Sequence, residues 1–193
     1  LARPSSSWLF SESSWPENTA FHNTSYAKKL KCPPLSLGEP FQSSLADTEG
    51  YVLCGSEGIK NSGSASWINN AHESMYVHAA LNPARAMPSR SDAAATQRRV
   101  FLDIGTNAGF FSVLAASRGY EVFSFEPQPM CNDILMRTKQ EIMRRAKDPP
   151  PWHLFEVGVT DGDKEVHFEV FRDRCGMNWH LASKTVKTTA TAV

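Results

Sequence analysis

Two acidic residues and two glycines are spaced in a way that suits the binding of a small ligand. Asp103 closes a short apolar run, and the segment 105–109 (GTNAG) has the composition of a tight turn. Gly105 can adopt a backbone conformation that other residues avoid, and Gly109 lets the main chain approach a ligand without an intervening Cβ. Glu126 follows about 20 residues later. In nucleotide-binding folds, an acidic residue at this separation along the chain commonly accepts hydrogen bonds from the ribose hydroxyls. Together these residues predict a site for an adenosine-containing ligand.

The details of the turn discriminate between two such ligands. A dinucleotide fingerprint is G-x-G-x-x-G, but Asn107 stands where its middle glycine belongs, and this would crowd a pyrophosphate. Asp103 is also unfavourable beside a diphosphate, whereas it suits the ammonium and sulfonium groups of S-adenosylmethionine. The pattern favours S-adenosylmethionine as cofactor. The alternatives are an NAD-dependent oxidoreductase, which lacks a Tyr-x-x-x-Lys constellation here, and a degenerate, non-catalytic binding module built on an ordinary βα loop.

The elements that must position these residues alternate between strand and helix. Apolar runs and helical spacing predict strands at 100–104, 121–125 and 153–159, helices at 110–117 and 130–147, and a return strand at 165–171 after the turn Asp161-Gly162. This order predicts an α/β fold with a doubly wound, Rossmann-like sheet. In such sheets ligands bind at the carboxyl ends of the strands, where Asp103 and Glu126 stand.

The first half of the chain differs in composition from the second. Residues 1–98 contain 17 serines and residues 99–193 contain 4. Turn-forming residues with scattered aromatics predict an irregular arm over 1–98, with one helix from Asn70 to about Leu81, followed by the α/β domain over 99–193.

Composition excludes several classes of function. The chain has 20 basic residues (Lys and Arg) and 20 acidic residues (Asp and Glu), so its formal net charge is zero. There is therefore no bulk positive field to attract nucleic acid. The apolar run from Gly109 to Ala116 is far shorter than a membrane-spanning helix. The cysteines and histidines lack the spacing of a zinc site, so no metal is expected.

The motifs resemble those of the FkbM-type S-adenosylmethionine-dependent methyltransferases. The resemblance rests on the segment 101–112 (FLDIGTNAGFFS), on 123–129 (FSFEPQP) and on 157–162 (VGVTDG). It implies a class I, Rossmann-like methyltransferase fold and O-methylation of a sugar or other small-molecule hydroxyl. It also implies a role for each cofactor-binding residue: Asp103, Gly105, Thr106, Asn107 and Gly109 around the methionine moiety, Glu126 on the ribose, and Asp161 near the adenine.

No catalytic residue follows from the sequence. His153, His167 and His180 are conceivable bases, but their positions in and beside predicted strands favour surface roles. The segment 175–180 (CGMNWH) is a loop that could fold over an acceptor.

The chain departs from the family in one respect. The K-I-D-V-E-G-type motif of the family's fourth strand is missing, which predicts an N-terminal fragment of a longer methyltransferase. A chain of this length would expose a parallel-strand edge and apolar helix faces, so we expect it to associate with itself or with another chain.

The sequence does not determine the cellular compartment of the protein. A Cys32–Cys54 disulfide would need an oxidising compartment such as the lumen of the secretory pathway, and the sequon Asn23-Thr24-Ser25 could be used only there. Sequons also occur by chance in cytosolic chains, so a cytoplasmic location is the alternative.

Overall fold

A three-stranded parallel sheet, whose strands are connected by helices, forms the centre of the described part of the protein. The computed structural model describes residues 17–35, 49–55, 81, 99–159 and 175. The elements in chain order are α1 (Thr24–Lys29), β1 (Val100–Ile104), α2 (Phe110–Ala116), β2 (Glu121–Phe125), α3 (Pro129–Arg145) and β3 (Trp152–Phe155). The strand order is β1-β2-β3, and both pairs are parallel.

The predicted α/β order is confirmed. The first two strands have the predicted bounds, and α2 and α3 lie within two residues of their predicted starts and ends, whereas α1 was not predicted. The third strand ends at Phe155, earlier than the predicted Val159. The turn Asp161-Gly162 and the strand predicted at 165–171 lie outside the described residues. Of the helix predicted at 70–81, only Leu81 is described, and it is buried in the core.

Both helices contribute to one core. Almost every side chain of α2 is buried, and α3 contributes Ile134, Leu135 and Ile142, which are fully buried like Leu154 of β3. The helix α3 begins with Pro129, whose ring suits a first helical position. Its last turn carries Arg144 and Arg145, which interact favourably with the helix dipole.

The other face of β1 is open. Val100, Leu102 and Ile104 are 51%, 55% and 60% exposed, while Asp103, on the helix side, is buried. The connections from β1 to β2 and from β2 to β3 cross the sheet in the same direction. Because such connections are right-handed, α2 and α3 lie on the same face of the sheet. In the described part of the chain, β1 is also an edge strand. The parallel-strand edge expected from the sequence is therefore present, and the self-association expected from it stays a prediction.

The described segments of the arm are joined to each other and pack on the α/β unit. Isolated bridges join Lys31 to Gly55 and Pro34 to Val52, and a disulfide joins Cys32 to Cys54. Apolar side chains of both arm segments belong to the same hydrophobic core as α2 and α3: Leu30, Leu35, Tyr51, Val52 and Cys54. The described segments thus share a core with the sheet.

No helix among the described residues is long and apolar enough to cross a membrane.

Candidate functional site

The turn between β1 and α2 folds over the end of β2. The backbone N–H groups of Gly105 and Thr106 both donate to the carbonyl of Phe125, at 2.9 and 3.2 Å. The Thr106 hydroxyl donates to the carbonyl of Asp103 at 2.7 Å and closes the turn. Gly105 (φ +76°) and Asn107 (φ +54°) both have left-handed backbone conformations. Asparagine tolerates this region better than most residues, so position 107 fits the turn without a glycine.

Gly109 is required by packing inside the protein. Its φ is +89°, and a Cβ at this position would collide with Cδ2 of Leu135 on α3. The sequence suggested that this glycine opens space for a ligand. In the structure, the space beside it is filled by the leucine side chain, so the missing Cβ lets Leu135 of α3 pack against the turn.

Glu126 is the residue that ties the turn to the second strand. Its side chain is almost fully buried, at 2% exposure. One carboxylate oxygen accepts from the backbone N–H of Asn107 at 2.7 Å, and the other accepts from that of Gln128 at 2.9 Å. Asn132 supports the backbone here by donating to the Glu126 carbonyl at 2.6 Å. The Gln128 side chain is a further hydrogen-bond partner, and because a carboxylate has about four acceptor positions, acceptor capacity remains beyond these contacts.

Asp103 is the end of a buried chain of hydrogen bonds. The Trp152 indole N–H donates to the Ser124 hydroxyl at 2.8 Å, and the Ser124 and Ser112 hydroxyls are 2.7 Å apart. Ser112 donates to Asp103 Oδ2 at 2.5 Å. Because Ser112 donates its only hydroxyl proton to Asp103, Ser124 must donate to Ser112, and every proton in this chain points toward the carboxylate. All three strands and α2 therefore hold Asp103 in one orientation.

Both carboxylates occupy a low-dielectric environment. Burial raises the pKa of Asp103, although the hydroxyl and the backbone N–H of Ser112 lower it. Burial also raises the pKa of Glu126, the N–H groups of Gln128 and Asn107 lower it, and the negative charge of Asp103 raises it further. Within the described residues neither carboxylate forms an ion pair. A cation would relieve the repulsion between them, so the site suits a positively charged ligand.

A second disulfide lies against the turn. Cys131, in the first turn of α3, is bonded to Cys175. The Cys175 sulfur is 2.9 Å from Oδ1 of Asn107. This bond brings residue 175 beside the glycine-rich turn, while the rest of the predicted loop 175–180 lies outside the described residues. Four cysteines permit three pairings, so the sequence alone left this partner undetermined.

The structure brings together six of the seven cofactor-binding residues predicted from the sequence. Asp103, Gly105, Thr106, Asn107, Gly109 and Glu126 all lie at the carboxyl ends of β1 and β2, and Asp161 lies outside the described residues. Sequence reasoning missed Ser112, Ser124 and Trp152. The sequence signal for the two serines was their setting: Ser112 interrupts an otherwise apolar helix, and Ser124 interrupts an apolar strand.

Of the histidines considered as bases, only His153 is described. It lies 3.2 Å from Glu121, the first residue of β2, and stacks on Phe123. This places it near the amino ends of the strands, away from the two carboxylates. The described residues contain no group of three or more metal-ligating side chains.

Comparison of the chain with protein-family models, curated proteins and solved structures finds no match.

Proposed function

We propose that the chain forms the cofactor-binding part of an S-adenosylmethionine-dependent methyltransferase. The observation that carries the proposal is the pair of buried, hydrogen-bonded carboxylates at the carboxyl ends of adjacent parallel strands. Asp103 and Glu126 flank a turn with three left-handed residues, and neither forms an ion pair within the described residues. Such a site favours a ligand that combines a ribose with a positive charge.

The cofactor would make a different interaction with each carboxylate. Glu126 is preorganised by two backbone N–H groups, and its remaining acceptor capacity would take hydrogen bonds from the ribose hydroxyls. Asp103 is held by the serine chain and would lie near the ammonium and sulfonium groups. When bound, S-adenosylmethionine supplies a methyl group on a positively charged sulfur. The protein then needs chiefly to orient an acceptor and exclude water.

The same electrostatics disfavour NAD. A pyrophosphate at this turn would meet two buried carboxylates and no compensating cation within the described residues. The acceptor class, a hydroxyl of a sugar or another small molecule, rests on the motif resemblance alone.

Calorimetry tests the proposal. We expect the folded chain to bind S-adenosylmethionine and S-adenosylhomocysteine and not NADH. Glu126→Gln should weaken binding by roughly tenfold to a hundredfold, since it removes a charged hydrogen-bond acceptor worth about 1.5–3 kcal/mol. The matched control is Glu121→Gln, which changes a carboxylate at the other end of the same strand and should leave affinity unchanged. NADH binding would favour the oxidoreductase, and a folded chain that binds none of the three ligands would favour the non-catalytic module.

The pH dependence gives a second readout with a defined sign. The raised pKa values of Asp103 and Glu126 mean that both carboxyls take up protons at a higher pH than usual. A cationic ligand favours the ionised forms, so affinity should fall as pH falls through these raised values. The stability of the unliganded protein should respond in the opposite direction. Because the folded state binds these protons more tightly than the unfolded state, the contribution of these two groups to stability decreases as pH rises.

A further inference from the structure

The sequon Asn23-Thr24-Ser25 lies at the surface of the folded protein. All three residues are exposed, and they form the start of α1, with Asn23 as its N-cap. An Asn-x-Ser/Thr sequence is an acceptor for N-linked glycosylation when x is not proline. The exposure of this segment means that the fold leaves room for a glycan here.

The capping geometry leaves the reactive atom of Asn23 available. Its side-chain oxygen accepts from the backbone N–H of Tyr26 at 3.0 Å and from the Ser25 hydroxyl at 2.9 Å. A backbone N–H can only donate, so the atom facing it is the carbonyl oxygen. In the part of the chain that the structure describes, the amide nitrogen Nδ2 has no hydrogen-bond partner. N-glycosylation uses that nitrogen and retains the carbonyl, so a glycan and the helix cap are compatible.

A buried carboxylate fixes the sequon to the rest of the protein. Asp133 of α3 accepts from the backbone N–H groups of His22 and Asn23, at 2.7 and 2.9 Å. The main chain at the sequon is therefore anchored on the α/β unit, while the Asn23 side chain stays at the surface.

The cysteines provide an independent observation. All four cysteines of the chain are paired, as Cys32–Cys54 and Cys131–Cys175. Paired structural cysteines are typical of oxidising compartments, because thiols in the cytosol are kept reduced. The lumen in which such disulfides form is also the compartment in which sequons are glycosylated.

We propose that Asn23 is N-glycosylated and that the protein folds in the lumen of the secretory pathway. The donor is an oligosaccharide linked to a lipid through a diphosphate. Asn23 Nδ2 forms a bond to the anomeric carbon of the first sugar and loses a proton, while the bond from that carbon to the diphosphate oxygen breaks and the lipid diphosphate departs. This modification is independent of the cofactor site, so it stands or falls separately from the proposed methyltransferase function.

The first test uses the chain isolated from its natural source. Free thiols are alkylated without reduction, peptide N-glycosidase is added, and the peptides are analysed by mass spectrometry. We expect no alkylated cysteine and conversion of asparagine to aspartate at position 23. Asn18, which is followed by Thr19 and Ala20 and is no sequon, serves as the internal control and should stay unmodified. An unmodified Asn23, or alkylated cysteines, would overturn the proposal.

Variants separate the glycan from the helix cap. The chain is expressed behind a secretory leader, and its glycosidase-sensitive mobility is measured in whole-cell lysate, because transfer occurs on the nascent chain and does not depend on final folding. Asn23→Asp keeps an oxygen that can cap α1 and should abolish the shift. Ser25→Ala should abolish it too, whereas Ser25→Thr retains the sequon and should preserve it. A shift that persists in Asn23→Asp would place the glycan elsewhere and contradict the assignment.

Discussion

The α/β unit and the arm are held together in different ways. Between residues 99 and 155, three parallel strands form continuous ladders, and two helices bury apolar side chains against them. The described arm segments, 17–35 and 49–55, have one short helix and two isolated bridges. A disulfide joins the two segments to each other, and they attach to the α/β unit through apolar side chains in the shared core, the buried carboxylate of Asp133 and an ion pair between Glu17 and Lys139.

The helix α3 connects the two regions. Ile134 and Ile142 face the core, while Asp133, Thr138 and Lys139 each contact the arm. A segment without helical or strand periodicity can thus be ordered by a few specific contacts, provided that a regular element offers them at fixed positions. The α/β unit should therefore fold without the arm's contacts, whereas the arm depends on the α/β unit. The following predictions test this asymmetry.

The largest effect is expected for Gly109→Ala. The new Cβ meets Leu135 and the residue must keep a left-handed backbone, so we expect a loss of about 2–5 kcal/mol in the free energy of unfolding. Because Leu135 belongs to the core that both regions share, both regions should unfold together in thermal and denaturant melts. The matched control is Gly119→Ala, which has a similar φ of +77° but nothing within 4 Å of the new Cβ, and should cost only about 1–2 kcal/mol. Equal losses for the two variants would contradict the packing role of Gly109.

A smaller and more local effect is expected from removing the arm's disulfide. Cys32→Ala with Cys54→Ala opens a loop with a sequence separation of 22 and should cost about 3 kcal/mol. Hydrogen exchange should show lost protection in 17–35 and 49–55 and retained protection in β1 and β2. The control, Cys131→Ala with Cys175→Ala, removes a disulfide outside these segments and should leave their protection intact. Loss of protection throughout the sheet in the first variant would show that the α/β unit needs the arm.

The smallest effect is expected at the ion pair between Glu17 and Lys139. Its nitrogen and oxygen are 2.5 Å apart, but both side chains are partly exposed, so a double-mutant cycle with Glu17→Gln and Lys139→Met should give a coupling below about 1 kcal/mol. Burial raises the pKa of Glu17, but the hydrogen bonds and charges of Lys139 and His153 outweigh it and lower the pKa overall. A lowered pKa means that the pair's contribution is present at neutral pH and is lost as pH falls through the folded-state value. A coupling that stays constant down to strongly acidic pH would contradict this assignment.

The regular part of the fold was predictable because its signals are local. The apolar run at 100–104 and the spacing of Met130, Ile134 and Ile142 indicate secondary structure from near neighbours alone. The third strand was predicted too long, since the apolar character of the sequence continues past Phe155 while pairing with β2 ends there. The short helix α1 was missed because six residues carry too little periodicity, although its N-cap Asn23 was a detectable signal.

The residues of the candidate site could be predicted from the sequence, but the contacts between them could not. Asp103, Gly105 and Glu126 stand at motif positions that a sequence displays directly. The chain of donors from Trp152 to Asp103 joins residues that are far apart in sequence and neighbours only across the sheet. The reason for Gly109 is equally non-local, because the atom that excludes a Cβ belongs to Leu135 on the next helix.

The sequence by itself determined the order of strands and helices, the neutral charge balance and the positions of the acidic residues and glycines, since these depend on residue type and spacing. Only the tertiary structure decided which cysteines pair, where the arm is attached and that two carboxylates share one buried edge of the sheet. These features depend on distances between segments that are remote in the chain. Burial and pKa follow from those distances because each depends on everything that surrounds a group in the folded protein.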